Sequence, residues 1–285
     1  MYDDLSLQFT NLMTGESLQI SRKNDIKLIE MPEGLEGCEY EQGLKERNGY
    51  DGSDYQYSRV PARDIALDIG CSVVSRVKEY RDKIIRVLNP KADGRLIVTY
   101  FDSVKAITYR IESVKDNTEG IRNPLNMHIE LSCSEPFFET VETSFIEIST
   151  WIGGLKFPFK LPFHLKRRGE PRVNIVNNGH VETPAQIIFK GPAYHPTIKL
   201  LQTGEYITVK RELTSDDTLY IDTTVGIDSV EIEHNGVRED AFSAIAWQSD
   251  FFQLRVGDNL VEYTTENQLV PQSVEIRFRE RYLGA

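Results

Sequence analysis

Val230-Glu-Ile-Glu-His-Asn-Gly-Val-Arg-Glu-Asp240 reads as two strands and the turn that joins them. Val230 and Ile232 alternate with acids, the period-two rhythm of a strand with one buried and one wet face. Asn235-Gly236 follows, and both residues tolerate the positive φ that a two-residue hairpin turn requires. Val237 then opens the return strand. Outward from this hairpin the same texture recurs from Arg172 to the end of the chain. Val173-Asn-Ile175, Ala185-Gln-Ile187-Ile-Phe189, Ile198-Lys-Leu200 and Tyr206-Ile-Thr-Val209 precede Leu219-Tyr-Ile221, and Leu260-Val-Glu-Tyr263 and Val274-Glu-Ile276-Arg-Phe278 come after the hairpin. Turn signals at Asn178-Gly179, Gly191-Pro192 and Val256-Gly257-Asp258-Asn259 separate them at the spacing of a β-sandwich.

Upstream, residues 151–171 break the rhythm with glycines, prolines and aromatics, from Trp151 through Phe157, Phe159 and Phe163. Prolines and glycines at that density forbid a regular element, yet the aromatics are too sticky for a free linker. The stretch is expected to be a packed crossing between two domains, residues 1–165 and 166–285.

The N-terminal half is also mainly strand in pattern. Leu5, Leu7 and Phe9 share one face, and Leu18 and Ile20 resume it after a turn at Thr14-Gly15-Glu16. Residues 31–64 hold five glycines among acids and tyrosines, which predicts a long loop or an extended hairpin arm; loops of that length tend to serve function. Alternation returns at Arg63-Asp-Ile-Ala-Leu-Asp-Ile69. The spacing of Val73, Val77, Tyr80, Ile84 and Leu88, widened by Val74 and Ile85, predicts one helix over about 73–89. Ser72 is the expected cap, and Asn89-Pro90 the stop. Strands are expected at Arg95–Phe101, Ala106–Val114 and His128–Ser134.

The chain has 285 residues with 44 acidic and 33 basic side chains, a net charge of −11. That balance argues against nucleic-acid binding, since phosphate contacts need a basic face. It either keeps the protein soluble or lines a conduit that DNA passes without sticking. Cys38, Cys71 and Cys133 are odd in number and lack a C-x-x-C pair, as in a protein made in a reducing cytoplasm without disulfides. Met1-Tyr-Asp-Asp-Leu-Ser has no signal-peptide character, and no apolar run approaches the ~18 residues of a membrane span.

Chemistry-bearing patterns are absent. His128, His164, His180, His195 and His234 show no metal-ligand spacing. There is no nucleophile elbow, P-loop or dinucleotide fingerprint, and Gly153-Gly154 precedes no helix that would supply a phosphate site. The pairs Asp3-Asp4, Asp216-Asp217 and Glu239-Asp240 are expected to be solvated acids rather than the opposed carboxylates of a glycosidase. Trp151 and Trp247 are expected to pack in a core or interface, with sugar stacking as the rival role. No catalytic, cofactor or metal residue is therefore assigned, and the chain is not expected to be an enzyme.

The segment from Trp151 onward resembles the distal tail protein family of siphophages. The resemblance is carried by Gly-Leu-Lys-Phe-Pro-Phe at 154–159, Asn177-Asn-Gly179 with Pro184, Phe189-Lys-Gly191-Pro-Ala, and Pro196-Thr-Ile198. Leu219-Tyr-Ile221-Asp222, the Asn235-Gly236 turn, Ser249-Asp-Phe-Phe-Gln-Leu254 and Val256-Gly257-Asp-Asn259 continue it. Asn48-Gly-Tyr-Asp-Gly52 and Arg63-Asp-Ile-Ala-Leu extend it into the N-terminal half. The resemblance implies an N-terminal, tail-tube-like β domain with one helix and a C-terminal galectin-like sandwich. It implies a structural protein of the virion tail, made in the bacterial host cytoplasm and closed into a homo-hexameric ring between tail tube and tail tip or baseplate. Its implied partners are the tail tube protein, a tail-associated hub or lysin protein and receptor-binding proteins, with neither sequence-specific nucleic-acid binding nor membrane insertion. The alternative is a galectin-type carbohydrate-binding module.

Overall fold

In the computed structural model, which describes residues 5–71, 73–120, 123–149, 151–152, 167–168, 171–266 and 273–285, the N-terminal alternation becomes a hairpin. Strand β1 (Ser6–Asn11) pairs antiparallel with β2 (Ser17–Ser21), setting Phe9 opposite Leu18 and Leu7 opposite Ile20. All four side chains are buried. The chain divides into two compact units, Met1–Val141 with Tyr282–Ala285, and Glu142–Arg281.

The first unit is one large antiparallel sheet. After β3 (Ile26–Leu28), β4 (Glu41–Glu46) and β5 (Ser53–Arg59) come β6 (Arg63–Cys71), β7 (Gly94–Tyr100), β8 (Ser103–Asp116), β9 (Leu125–Cys133) and β10 (Phe138–Thr140). The sheet runs β2-β1-β7-β8-β9-β6-β3, with β10 on β8. Its inner face contributes Ile65, Leu67, Ile69, Leu96, Val98, Ile107, Tyr109, Met127, Ile129 and Leu131 to one core. Helix α1 (Val77–Val87), entered by a single 3-10 turn at Val74–Arg76, buries Ile84, Val87 and Leu88 in that core. The apolar stripe is narrower than its spacing predicts: Val74 and Ile85 are exposed. Val74 lies in the 3-10 turn that precedes the helix, none of whose residues is buried. The expected cap Ser72 lies outside the described residues. At the helix's other end, buried Asn11 donates from Nδ2 to the Val87 carbonyl at 3.2 Å, satisfying one of the orphan acceptors that end every helix.

The second unit is a two-layer sandwich. Its six-stranded sheet runs Ser144–Ser149, Ser273–Phe278, Ala185–Lys190, Asp217–Asp222, Ser229–His234, Val237–Asp240, and its four-stranded sheet Arg172–Asn177, Gly257–Thr264, Thr197–Leu200, Tyr206–Thr208. Ile187, Phe189, Leu219, Ile221, Val274 and Ile276 from one sheet meet Ile175, Ile198, Leu200, Val261 and Tyr263 from the other in a single core. The protein is thus mainly β. Among the described residues no helix is long and apolar enough to cross a membrane.

The units divide earlier than the aromatic crossing suggests. Ser144–Ser149 pairs with Ser273–Phe278, Ile146 facing Ile276 and Ile148 facing Val274, and so joins the second unit rather than the segment 1–165. Local alternation marks a strand but carries no information about which sheet will receive it. Residues 153–166 of the crossing lie outside the described residues.

The hairpin at 230–240 forms in the expected register, His234 opposite Val237, with φ of 52° at Asn235 and 79° at Gly236. A Cβ at Gly236 would meet nothing within 4 Å, so only backbone strain opposes a side chain there. Gly236→Val is expected to cost about 1 kcal/mol through positive φ, and Asn235→Gly to stay within about 0.5 kcal/mol. Denaturant midpoints that fell equally for both would contradict the turn type.

Candidate functional site at the arm and its base

Residues 38–62 leave the first sheet as a free-standing hairpin. Strands β4 and β5 pair only with each other, with a bulge between Gly43 and Leu44. Gly43 sits under the Tyr57 ring, whose Cε1 would lie 2.4 Å from any Cβ there. Cross-strand ion pairs Arg47–Asp54 and Arg59–Glu41, both 2.6 Å, staple the hairpin. Such exposed pairs contribute at most about 1 kcal/mol each, and a lone two-stranded hairpin is marginal in water. Every residue of β5 is exposed. Tyr40, Leu44, Tyr50, Tyr55 and Tyr57 hold their rings and side chains in solvent. The arm therefore presents apolar area that its own unit does not bury.

At the base stands Arg63, only 5% exposed. Its Nε donates to the Pro136 carbonyl at 2.6 Å, Nη2 to Leu283 at 2.6 Å, and Nη1 to Gly34 at 2.7 Å and to Gly37. The guanidinium also lies 5.0 Å from the Phe138 ring centroid. Among the described residues no carboxylate pairs with it, and burial pulls its pKa below the ordinary arginine value. The cation is held by carbonyl dipoles and a ring face, which a planar five-donor fork can satisfy at several points at once. The last residues of the chain complete the base. Ala285 N–H donates to the Leu35 carbonyl at 2.9 Å, and Lys105 Nζ donates to the Gly284 carbonyl at 3.0 Å while lying 4.2 Å from the Tyr282 ring centroid.

Beside this clamp opens a cleft of about 620 Å³ whose lining includes Glu33, Glu36, Glu39, Asp64, Glu112 and Glu130. Glu130 is held at about 2, chiefly by the Ser113 hydroxyl and Lys115, with His128 also on its carboxylate. His128 reaches Asp68 at 3.0 Å and Glu130 at 3.3 Å. Among the described residues no group of three or more His, Cys, Asp or Glu is arranged to hold a metal ion. All three thiols are free, and burial pushes Cys133 up to about 12.

The remaining sequence candidates are dispersed. Asp3-Asp4 and His164 lie outside the described residues, as does the side chain of Trp151. His195 pairs with Glu266 at 3.1 Å. Glu239 and Asp240 are both exposed, on the edge strand of the second unit. Asp217 departs from the expected solvated acid: it is buried at the start of its strand while Asp216 is exposed. Burial alone would raise its pKa, but the Thr214 N–H at 2.7 Å, the Thr214 hydroxyl at 2.8 Å and His234 at 2.6 Å outweigh it and hold the carboxyl below its ordinary value. A depressed pKa stabilises the fold above the unfolded value near 4 and is lost as pH falls through the folded one. Asp217→Asn is thus expected to lower stability by about 1–3 kcal/mol at pH 7, with the gap closing below about pH 4. Urea midpoints measured across pH check this; a gap unchanged at pH 3 would contradict it.

Trp247 is 98% exposed, which overturns a core role. It is not loose: Ala246 N–H donates to Thr208, Ser249 N–H to Ala246, and Asp250 N–H to Tyr206, each at 2.9 Å. These bonds lay the segment along the edge of the four-stranded sheet with the indole outermost. Sequence reasoning missed the Arg63 clamp because its partners are backbone carbonyls, which carry no residue signature. The one available signal was an arginine in phase with the buried face of its strand, at the head of Ile65, Leu67, Ile69 and Cys71.

Residues 178–282 match the family model described as siphovirus-type tail component, C-terminal domain. No curated protein matches the sequence. Among solved structures, the chain is similar to the crystal structure of the SPP1 Dit protein, described as a paradigm of the hub adsorption apparatus in phages infecting Gram-positive bacteria: TM-score 0.68, 16% identity, covering 96% of this chain and 98% of that one. It is also similar to a chain of the phage P2 baseplate in its activated conformation with Ca, with TM-score 0.56, 13% identity and 99% coverage of both chains. The same baseplate with Sr gives TM-score 0.56 and 14% identity.

Proposed function

We propose, from the premise that this chain is a phage tail component of the distal tail protein family, that it closes into a six-membered ring joining the tail tube to the tail tip or baseplate. The observation that carries this reading is the tail-component domain at residues 178–282 set within a fold that a hub protein shares over almost its whole length. The arm supports it physically. A closed ring repeats one heterologous contact at every joint, and a projecting strand pair with unburied tyrosines is suited to such a contact. The reading makes the protein structural rather than catalytic. Six copies of the 32.7 kDa chain give about 196 kDa, so native mass spectrometry or negative-stain imaging tests it directly. A six-fold ring, alone or on addition of the tail tube protein, is expected; a stable dimer or a catalytic turnover would overturn it.

The second unit is then the platform for host-adhesion proteins, with Trp247 as an anchor of the kind that dominates protein interfaces. Its exposure also suits the alternative, a carbohydrate-binding role, since indole faces stack on sugar rings. Glycan-array binding lost on Trp247→Ala would favour the sugar; loss of adhesin capture with a blank array would favour the platform.

A further inference from the structure

Four backbone carbonyls from three separate segments of the chain meet on one side chain. Gly34 and Gly37 are the outgoing foot of the arm, and Arg63 itself follows its returning foot, Val60-Pro61-Ala62. Pro136 precedes β10, which leads to Val141, the last residue before the second unit. Leu283 lies in the tail that returns from the second unit at Arg281. The guanidinium bonds carbonyls of all three segments, at Pro136, at Gly34 and Gly37, and at Leu283. The geometry points to Arg63 as a joint that couples the arm to both chain connections of the second unit.

The physical reason is that these contacts stand or fall together. A guanidinium is a rigid plane, so its donors cannot follow carbonyls that move independently. Among the described residues no carboxylate pairs with this buried cation, so any carbonyl that leaves strands a desolvated donor on it, and such a loss costs far more than a surface bond. Displacement of the outgoing foot must therefore either carry Pro136 and Leu283 with it or break the clamp. The close packing of the tail on the foot adds to this: a Cβ on Gly284 would lie 2.9 Å from the Gly37 nitrogen. The biological use of the joint, transmitting seating of the arm in a ring to the adhesion-bearing unit, rests on the function proposed above. The coupling itself is a property of the single chain.

Amide hydrogen exchange on the full-length monomer tests it. Arg63→Lys keeps the charge and removes the fork. Amides in 34–38, 137–140 and 283–285 are expected to exchange together, about tenfold faster or more, while Ile65–Cys71 and Leu125–Cys133 keep their protection. Shortening the arm by deleting residues 45–54 in the otherwise unchanged chain is expected to alter exchange at 137–140 and 283–285, and to lose that effect in the Arg63→Lys background. Loosening confined to one segment, or a tail indifferent to arm shortening, overturns the coupling. If Arg63→Lys does not fold, the arm-shortened chain with native Arg63 decides alone. Ring formation, followed separately by native mass spectrometry, is independent: coupled exchange without rings would sink the assembly reading and leave the joint standing.

Discussion

Deleting residues 41–59 and joining Tyr40 to Val60 through two glycines is expected to impair closure of the proposed ring strongly while leaving both cores folded. The feet of the arm are already neighbours, because Glu41 pairs with Arg59, so a short turn can close the gap without strain. The deleted strands belong to neither buried core; the first core draws on Leu35 before the arm and on Ile65 after it. Thermal melts of the variant should fall within a few degrees of the parent, since only exposed ion pairs and a marginal hairpin are lost. Assembly should suffer far more. In the six-membered ring proposed above every joint would use the same contact, so a weakness in one interface would recur six times, and the ring fraction should drop about tenfold or more. Full rings from the deletion variant by native mass spectrometry would show that the arm takes no part in the joint.

Gly34→Ala is expected to be the most damaging single methyl in the first unit. Gly34 has φ of +79°, and a Cβ there would lie 2.1 Å from the Asp64 carbonyl oxygen. That oxygen cannot withdraw, because Asp64 is fixed in β6 opposite Ser132 of β9. Positive φ costs about 1 kcal/mol and forced overpacking about 1–3 kcal/mol more, giving about 2–4 kcal/mol in all. Gly37→Ala provides the internal comparison: its φ is +77°, but a Cβ would meet nothing within 4 Å, so about 1 kcal/mol is expected. Chemical denaturation that ranks the two substitutions equal would contradict the close approach of the loop to β6. A Gly34→Ala chain should also release the tail, since the same loop supplies the Gly34 and Gly37 carbonyls to Arg63.

Much of this molecule is written locally. Alternation at Leu5, Leu7 and Phe9, or at Val274, Ile276 and Phe278, declares a strand and its buried face, because side chains on a strand have a period of two and water selects the polar side. The Asn235-Gly236 turn is equally local, since positive φ is a property of the residues themselves. The helix at Val77–Val87 is legible from its spacing, although the 3-10 turn at Val74–Arg76 that precedes it is not. The order and spacing of turns and apolar runs after Trp151 were enough to suggest the tail-protein family. What the sequence could not express is which strands become neighbours and which backbone atoms meet. The strand at Ser144–Ser149 alternates like any other, and only its pairing with Ser273–Phe278 assigns it to the second unit. Asp217 looks like one acid of a turn until Thr214 and His234 close around it. The base of the arm is the clearest case. Arg63 is bound by carbonyls at residues 34, 37, 136 and 283, and every residue carries the same carbonyl, so no side-chain pattern encodes that meeting. Long-range backbone contacts are decided by the tertiary fold alone, and here they set three separate segments of the first unit on one charge.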